Sequence, residues 1–252
     1  IDIVNLYMKC SDDAPLFYAG GSGTSLLYGL TLTVNITNLI QRDGHAYYFG
    51  TGGGLVQCYS PDTAINNSIT YNIKSGNIDA PLLGIMSFSA YSTDVANTNN
   101  HFNINGGDIQ KNKSAFTGGL LKVTSMSSLI SGEPLIINVK GNFKSLDSNS
   151  VIDGFNNYLS SPFPCVYEFS GKYETALSNV PVVHFYANTG KIVAITDALL
   201  INDGTAPSIL ADSVCTGTLG ICQDPPGTPI VIPLYVKNVH ATTAPSSNVQ
   251  QI

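Results

Sequence analysis

The segment Leu30-Thr-Leu-Thr-Val-Asn-Ile-Thr37 alternates apolar and polar side chains without a break. In an extended chain Leu30, Leu32, Val34 and Ile36 fall on one side, while Thr31, Thr33, Asn35 and Thr37 fall on the other. The same period of two recurs at residues 69–73 (Ile-Thr-Tyr-Asn-Ile), 102–105 (Phe-Asn-Ile-Asn) and 137–140 (Ile-Asn-Val-Lys). A strand with one greasy and one wet face is the antiparallel kind, because parallel sheets usually have both faces covered. Further strands are expected at 46–49, 55–59, 83–91, 166–169 and 230–236. Pro233 cannot donate to a ladder and puts the last of these at an edge. Segments 182–187 and 191–196 flank Asn188-Thr-Gly190 and read as a β-hairpin.

Helix signals are scarce. Residues 151–159 place Ile152, Phe155 and Leu159 at helical spacing behind serines that could cap, and 120–130 and 208–214 are shorter candidates. Turn signals come every ~10–15 residues, and no repeat of fixed period is visible. The expectation is an all-β fold, an antiparallel β-sandwich or jelly-roll-like arrangement with one or two short helices. Residues 1–223 are expected to form the main domain. Residues 224–252 would supply a Pro-rich linker, a final strand and a polar C-terminal extension.

Composition sharpens this picture. Charged residues make up 11%, against the usual ~25%, so Asn, Ser, Thr, Gly and Tyr must cover much of the surface. Glu133, Glu168 and Glu174 are the only glutamates and Arg42 the only arginine, and 24 Gly and 13 Pro favour turns over helices. The net charge of −6 and the scattered basic residues argue against nucleic acid, which is held chiefly by Lys and Arg on phosphates. Lys111 and Lys113 read as a solvated loop. No apolar run reaches the ~18–20 residues that span a bilayer. A chain opening on Ile1 fits a cleaved leader or a shortened chain.

Five cysteines bear on compartment. Cys215 and Cys222 are joined by a short, glycine-containing segment and are expected to form a disulfide, while the pairing of Cys10, Cys58 and Cys165 stays open. That bridge would place the protein in an oxidising setting: extracellular, cell-surface or periplasmic.

Motifs that carry chemistry are missing. The glycine clusters lack the lysine of a phosphate loop and the third glycine of a dinucleotide fingerprint, and there is no G-x-S-x-G. His45, His101, His184 and His240 are far apart in sequence, and residues 147–154 offer oxygens without the glycine and glutamate of a calcium loop, reading instead as a helix cap. Glu168 and Glu174 are the carboxylates nearest to expected strands. No catalytic residue, metal or cofactor is therefore expected.

The leading functional expectation is a non-enzymatic structural or assembly subunit of an extracellular or envelope structure, such as a pilus, a coat or a secretion-system exterior. It would pair with copies of itself or other subunits through sheet edges and chain ends, with Ile1, Ile3, Leu6, Val249 and Ile252 as candidate contacts. The alternative is an adhesin or lectin-like module that binds glycans through Tyr47, Tyr48, Tyr91, Asp94 and Asn97.

Overall fold

The computed structural model describes residues 1–9, 17–20, 26–29, 31–42, 56–59, 63–65, 68–78, 95–98, 101–112, 121–123, 130–132, 135–154, 165–185, 192–211, 214–216, 221–223, 229–230 and 234–246. The first pass of the chain holds β1 (Asp2–Lys9), β2 (Phe17–Gly20) and β3 (Leu26–Tyr28), and the second holds β4 (Thr31–Arg42), β5 (Val56–Tyr59) and β6 (Thr63–Ile65). Then come β7 (Ser68–Ile78) with β8 (Val95–Thr98), and β9 (His101–Lys111) with β10 (Leu121–Val123) and β11 (Ile130–Gly132). β12 (Leu135–Ser145) is followed by β13 (Ile152–Gly154), and β14 (Cys165–Thr175) by β15 (Val183–Phe185). β16 (Ile192–Ile201), β17 (Ile209–Ala211), β18 (Val214–Thr216), β19 (Ile221–Gln223) and β20 (Pro229–Ile230) precede β21 (Leu234–Ala241).

The long strands β1-β4-β7-β9-β12-β14-β16-β21 lie side by side in chain order as one eight-stranded sheet. Every neighbouring pair in it is parallel. Short strands between them build three more parallel stacks, β2-β5, β3-β6-β8-β11 and β10-β13-β15-β17, each again in chain order. A chain that visits the same stacks in the same sequence, pass upon pass, is a β-solenoid.

This overturns the antiparallel sandwich. Period-two alternation was read as antiparallel because parallel sheets are normally covered on both faces. A solenoid covers only the inner face of each sheet, so its parallel strands alternate too. In β4 Val34 and Ile36 are buried while Thr33, Asn35 and Thr37 are exposed. The hairpin at 188–190 is also corrected: β15 and β16 belong to different sheets, and each pairs in parallel with the passes beside it. Among the described residues there is no helix. The described parts of segments 151–159, 120–130 and 208–214 contribute β13, β10 and β17 instead, the rest of each lies outside the described residues, and residues 147–149 form a bend rather than a helix cap.

The only antiparallel strands among the described residues are β18, β19 and β20, in a small sheet between β17 and β21. There Cys215 faces Cys222 across the β18–β19 ladder. No disulfide is seen among the described residues; the backbone ladder closes this loop. β21 pairs along β16 as the last strand of the large sheet.

Inward-pointing side chains stack in rows at the strand spacing of ~4.8 Å. Val34, Tyr71, Ile104, Val139, Phe169 and Ile195 form one fully buried row. In the neighbouring row Ile73 gives way to Gly106, Gly141 and Gly171, and the space is taken by rings. A Cβ on Gly106 would lie 2.7 Å from the Phe143 ring. Phe143 stacks on Tyr173 with centroids 5.6 Å apart, and Phe169 meets the edge of Tyr173 at 6.3 Å. The Tyr173 hydroxyl donates to the Ser170 and Val139 carbonyls at 2.8 and 3.1 Å, and burial pushes its pKa upward. A second alignment concerns backbone shape: Asp197 and Asn238, both left-handed at φ 49° and 53°, sit opposite each other and share a 2.9 Å hydrogen bond.

Where the chain leaves the large sheet, the corners stack as well. Asn112 N–H donates to Ile78 O, Leu146 N–H to Lys111 O, and Ala176 N–H to Ser145 O. Polar side chains are buried here, chiefly Lys111, Ser145, Asp147 and Thr175. Lys111 is thus not a loop residue in water: its Nζ lies 2.5 Å from Asp147 Oδ2, with both side chains almost wholly buried. The Asp147 Oδ1 accepts from the Asn149 backbone and side chain, which fixes the bend that follows.

Two mutational outcomes follow from these contacts. Gly141 has φ 151°, and a Cβ there would sit 1.9 Å from Gly106 O. Gly141→Ala should cost about 2–4 kcal/mol in urea unfolding, whereas Gly204→Ala, with φ 90° but open space around it, should cost roughly 1 kcal/mol. Equal costs at the two positions would show that close strand approach is not what glycine serves at 141. For the buried ion pair, Lys111→Met should cost about 3–5 kcal/mol by stranding a carboxylate, and Lys111→Met with Asp147→Leu should recover part of the loss. A double variant as damaged as the sum of its parts would contradict the pairing.

Candidate functional site

The outward face of the large sheet carries the most organised polar chemistry among the described residues. In-register parallel strands place equivalent side chains directly above one another, so an amide on one strand can donate to the carbonyl oxygen of the next. Asn35 Nδ2 donates to Asp2 Oδ1 at 2.6 Å, Asn72 Nδ2 to Asn35 Oδ1 at 2.7 Å, and Asn105 Nδ2 to Asn72 Oδ1 at 2.8 Å. Lys140 continues the row on β12. A parallel row runs two residues away, where Asn138 donates to Asn103 at 2.9 Å and Asn103 to Thr70 at 3.2 Å.

Beside the first row the face is bare. Gly106, Gly107 and Gly141 floor an open groove of about 550 Å³ whose sides include Asn35, Asn72 and Asn105 together with Lys74 and Lys140. The floor must be glycine. A Cβ at Gly107 would stand 2.0 Å from Lys74 O, so adjacent backbones pass where no side chain fits. Both lysines are exposed, and the ion pairs among the described residues do not include them.

A second groove of about 340 Å³ lies further along the same strands, with Asp108, Asn142, Lys144, Lys172 and Glu174 on its walls. Asn142 Nδ2 donates to Asp108 at 3.2 Å. Lys144 and Lys172 close on Glu174 at 2.6 and 2.8 Å. Hydrogen bonds first from Lys144 and then from Lys172 hold the Glu174 carboxyl below the ordinary carboxylate range, so it is ionised at neutral pH. It is a poor candidate for a general acid, which needs the opposite shift. Glu168 shares β14 with it, six positions away, or roughly 20 Å of extended chain. The carboxyl pair of a glycosidase stands within about 9.5 Å, so these two do not make one.

The residues singled out from sequence are dispersed. Ile3 and Leu6 lie on β1, an outer strand of the large sheet, and Ile1 directly precedes it, with Ile1 exposed and the other two half-buried. Asn97 is in β8, paired with Ala64 and Gly132 in a different sheet. Tyr47, Tyr48, Tyr91, Asp94, Val249 and Ile252 lie outside the described residues, as do the expected strands at 46–49 and 83–91. His101 opens β9, His184 sits in β15 and His240 in β21, in three separate places. No group of three metal-binding side chains occurs among the described residues, and no helix there is long and apolar enough to cross a membrane.

Sequence reasoning passed over the amide row and the two groove lysines. The signal was present in Val34-Asn-Ile36, Tyr71-Asn-Ile73 and Ile104-Asn-Gly106, an amide each time between buried apolar positions or their glycine substitute. These triplets become a row only once the strands are known to be parallel and in register. Comparison of the chain with protein-family models, with curated proteins and with solved structures gave no match in any of the three, and nothing in them supports secretion or adhesion.

Proposed function

We propose that the protein is a non-enzymatic scaffold whose outward sheet face binds an extended, hydroxyl-rich chain, a glycan. The observation that carries this reading is the amide row Asn35–Asn72–Asn105 beside a glycine-floored groove. On its neighbours each amide of the row uses one N–H and, at Asn35 and Asn72, one carbonyl lone pair. It retains a second N–H and a second lone pair directed at solvent. A sugar hydroxyl both donates and accepts, so a line of such half-used amides offers it matched partners at regular intervals. The groove runs across several strands, which suits a polymer better than a compact metabolite. The non-enzymatic part is supported by the internal pairing of Glu174 with two lysines and by its distance from Glu168.

Binding to a panel of soluble polysaccharides, followed by affinity electrophoresis, tests it. At least one glycan should retard the protein, and Asn72→Ala with Asn105→Ala should weaken that glycan about tenfold or more while each change costs ~1 kcal/mol of stability. A panel without a single retarding glycan would sink the reading.

The second reading, an assembly subunit acting through a sheet edge, draws on β1. Its outer edge carries no strand among the described residues, and Ile1, Val4 and Tyr7 are 58%, 69% and 61% exposed. Open, apolar edge strands are templates for pairing with another strand. The native mass should then exceed that of a monomer, and Val4→Lys with Tyr7→Lys should return it to the monomer value; a wild-type monomer at high concentration would eliminate this reading.

A further inference from the structure

We infer that the larger groove selects glycans whose sugars carry carboxylates, an inference that rests on the glycan-binding reading above. Lys74 and Lys140 both line the groove that Gly106, Gly107 and Gly141 floor. Lys140 is in register with Asn105 and hence with Asn72, and Lys74 is two residues beyond Asn72 on its strand. The two Cα atoms are therefore roughly 12 Å apart, two strand spacings across and two residues along. No carboxylate among the described residues lines this groove. In a chain of net charge −6, two exposed lysines with no ion-pair partner among the described residues, around a bare backbone floor, are a local exception to the overall field.

The neighbours of the groove limit how dense the ligand's charge can be. Asp2 closes the far end of the amide row through its bond from Asn35, and Asp108 and Glu174 stand in the second groove along the same strands. A heavily sulfated chain laid along this face would bring its charges against those carboxylates. A uronate chain carries one carboxylate per acidic sugar and can place it between Lys74 and Lys140, with its hydroxyls on Asn35, Asn72 and Asn105. Lysine suits this task, because a flexible point charge follows a carboxylate that changes height along a polymer, whereas arginine demands one fixed bidentate geometry.

Calorimetric titration of the full chain tests the inference with three ligand sets of matched length: oligomers of galacturonate, guluronate and glucuronate; the methyl esters of the same oligomers; and oligomers of dextran sulfate. At least one uronate should bind, its methyl ester about tenfold or more weakly, and raised salt should weaken the acid far more than the ester. Lys74→Gln with Lys140→Gln should bring the acid down to the affinity of the ester, and Lys140→Gln alone should give an intermediate value. Unfolding midpoints near the wild type would show that both variants fold, as exposed positions without partners should allow. Acid and ester binding equally, or neutral glycans binding while no uronate does, would overturn the carboxylate inference and leave the glycan reading standing. Dextran sulfate binding more tightly than every uronate through the same lysines would also overturn it. No binding by any glycan, charged or neutral, would remove both.

Discussion

A pass of this chain through the large sheet cannot satisfy its own backbone or bury its own apolar row. Both needs are met only by the pass before and the pass after, lying parallel and in register. Stability in such a structure is a sum of nearest-neighbour interfaces, so each pass must match the shape of the next. That matching is visible in the core. Ile36 and Ile73 continue as Gly106, Gly141 and Gly171, while in the adjacent row Gly76 gives way to Ile109, Phe143 and Tyr173. Volume removed from one row is returned by the other, which is what a close-packed interior requires.

The corners obey the same rule at a higher energetic stake. A bend inside a stack has its amides and carbonyls shut away from water, and leaving any of them unpaired is costly. The chain answers with bend-on-bend hydrogen bonds and with side chains that reach back to the backbone, such as Ser145 to Asn149 O and Asn202 to Ala206 O. Lys111 and Asp147 go further by burying opposite charges together. Such a pair adds little net stability over well-packed apolar groups. What it does provide here is a fixed link between the end of β9 and the bend after β12, so it sets the phase of one pass against the next.

Alternation made the individual strands legible: the segments at 30–37, 69–73, 102–105 and 137–140 all lie in or overlap β4, β7, β9 and β12. Their direction was not legible, since an inner face on the core and an outer face in water give the same pattern in either sheet type. Asn188-Thr-Gly190 reinforced the error by resembling a hairpin turn between segments that belong to separate stacks. The repeat was hidden because its length is not constant. Partners in the amide rows are separated by 33, 37, 33 and 35 residues, and Asn238 is 41 from Asp197. Excursions of varying length, including the small antiparallel sheet between β17 and β21, absorb the difference while the sheet register is kept. Lys111 was misread for a related reason: neighbouring charges in sequence suggest a solvated loop, and only the position of Asp147, 36 residues on, takes the first of them indoors.

The site on the outer face is a by-product of the same matching. Register puts Asn35, Asn72 and Asn105 in line, and the amides bond one another across the strand spacing. The glycines that make room for Phe143 inside, and for adjacent backbones at Gly107 and Gly141, also clear the outer surface between Lys74 and Lys140. A groove built this way cannot easily close or reshape, since its floor is the ladder that holds neighbouring passes together. Its contribution to the proposed binding would therefore be preorganisation: the polar groups are ordered before any ligand arrives, and the entropy of fixing them is already spent in folding. The same rigidity argues against a reaction that needs two groups to converge on one bond, because groups on this sheet stand at distances set by strand spacing and residue rise. Under the glycan-binding proposal, a surface of that kind would read repeating chemistry along a line, and its selectivity would lie in which charges stand at the ends of the row.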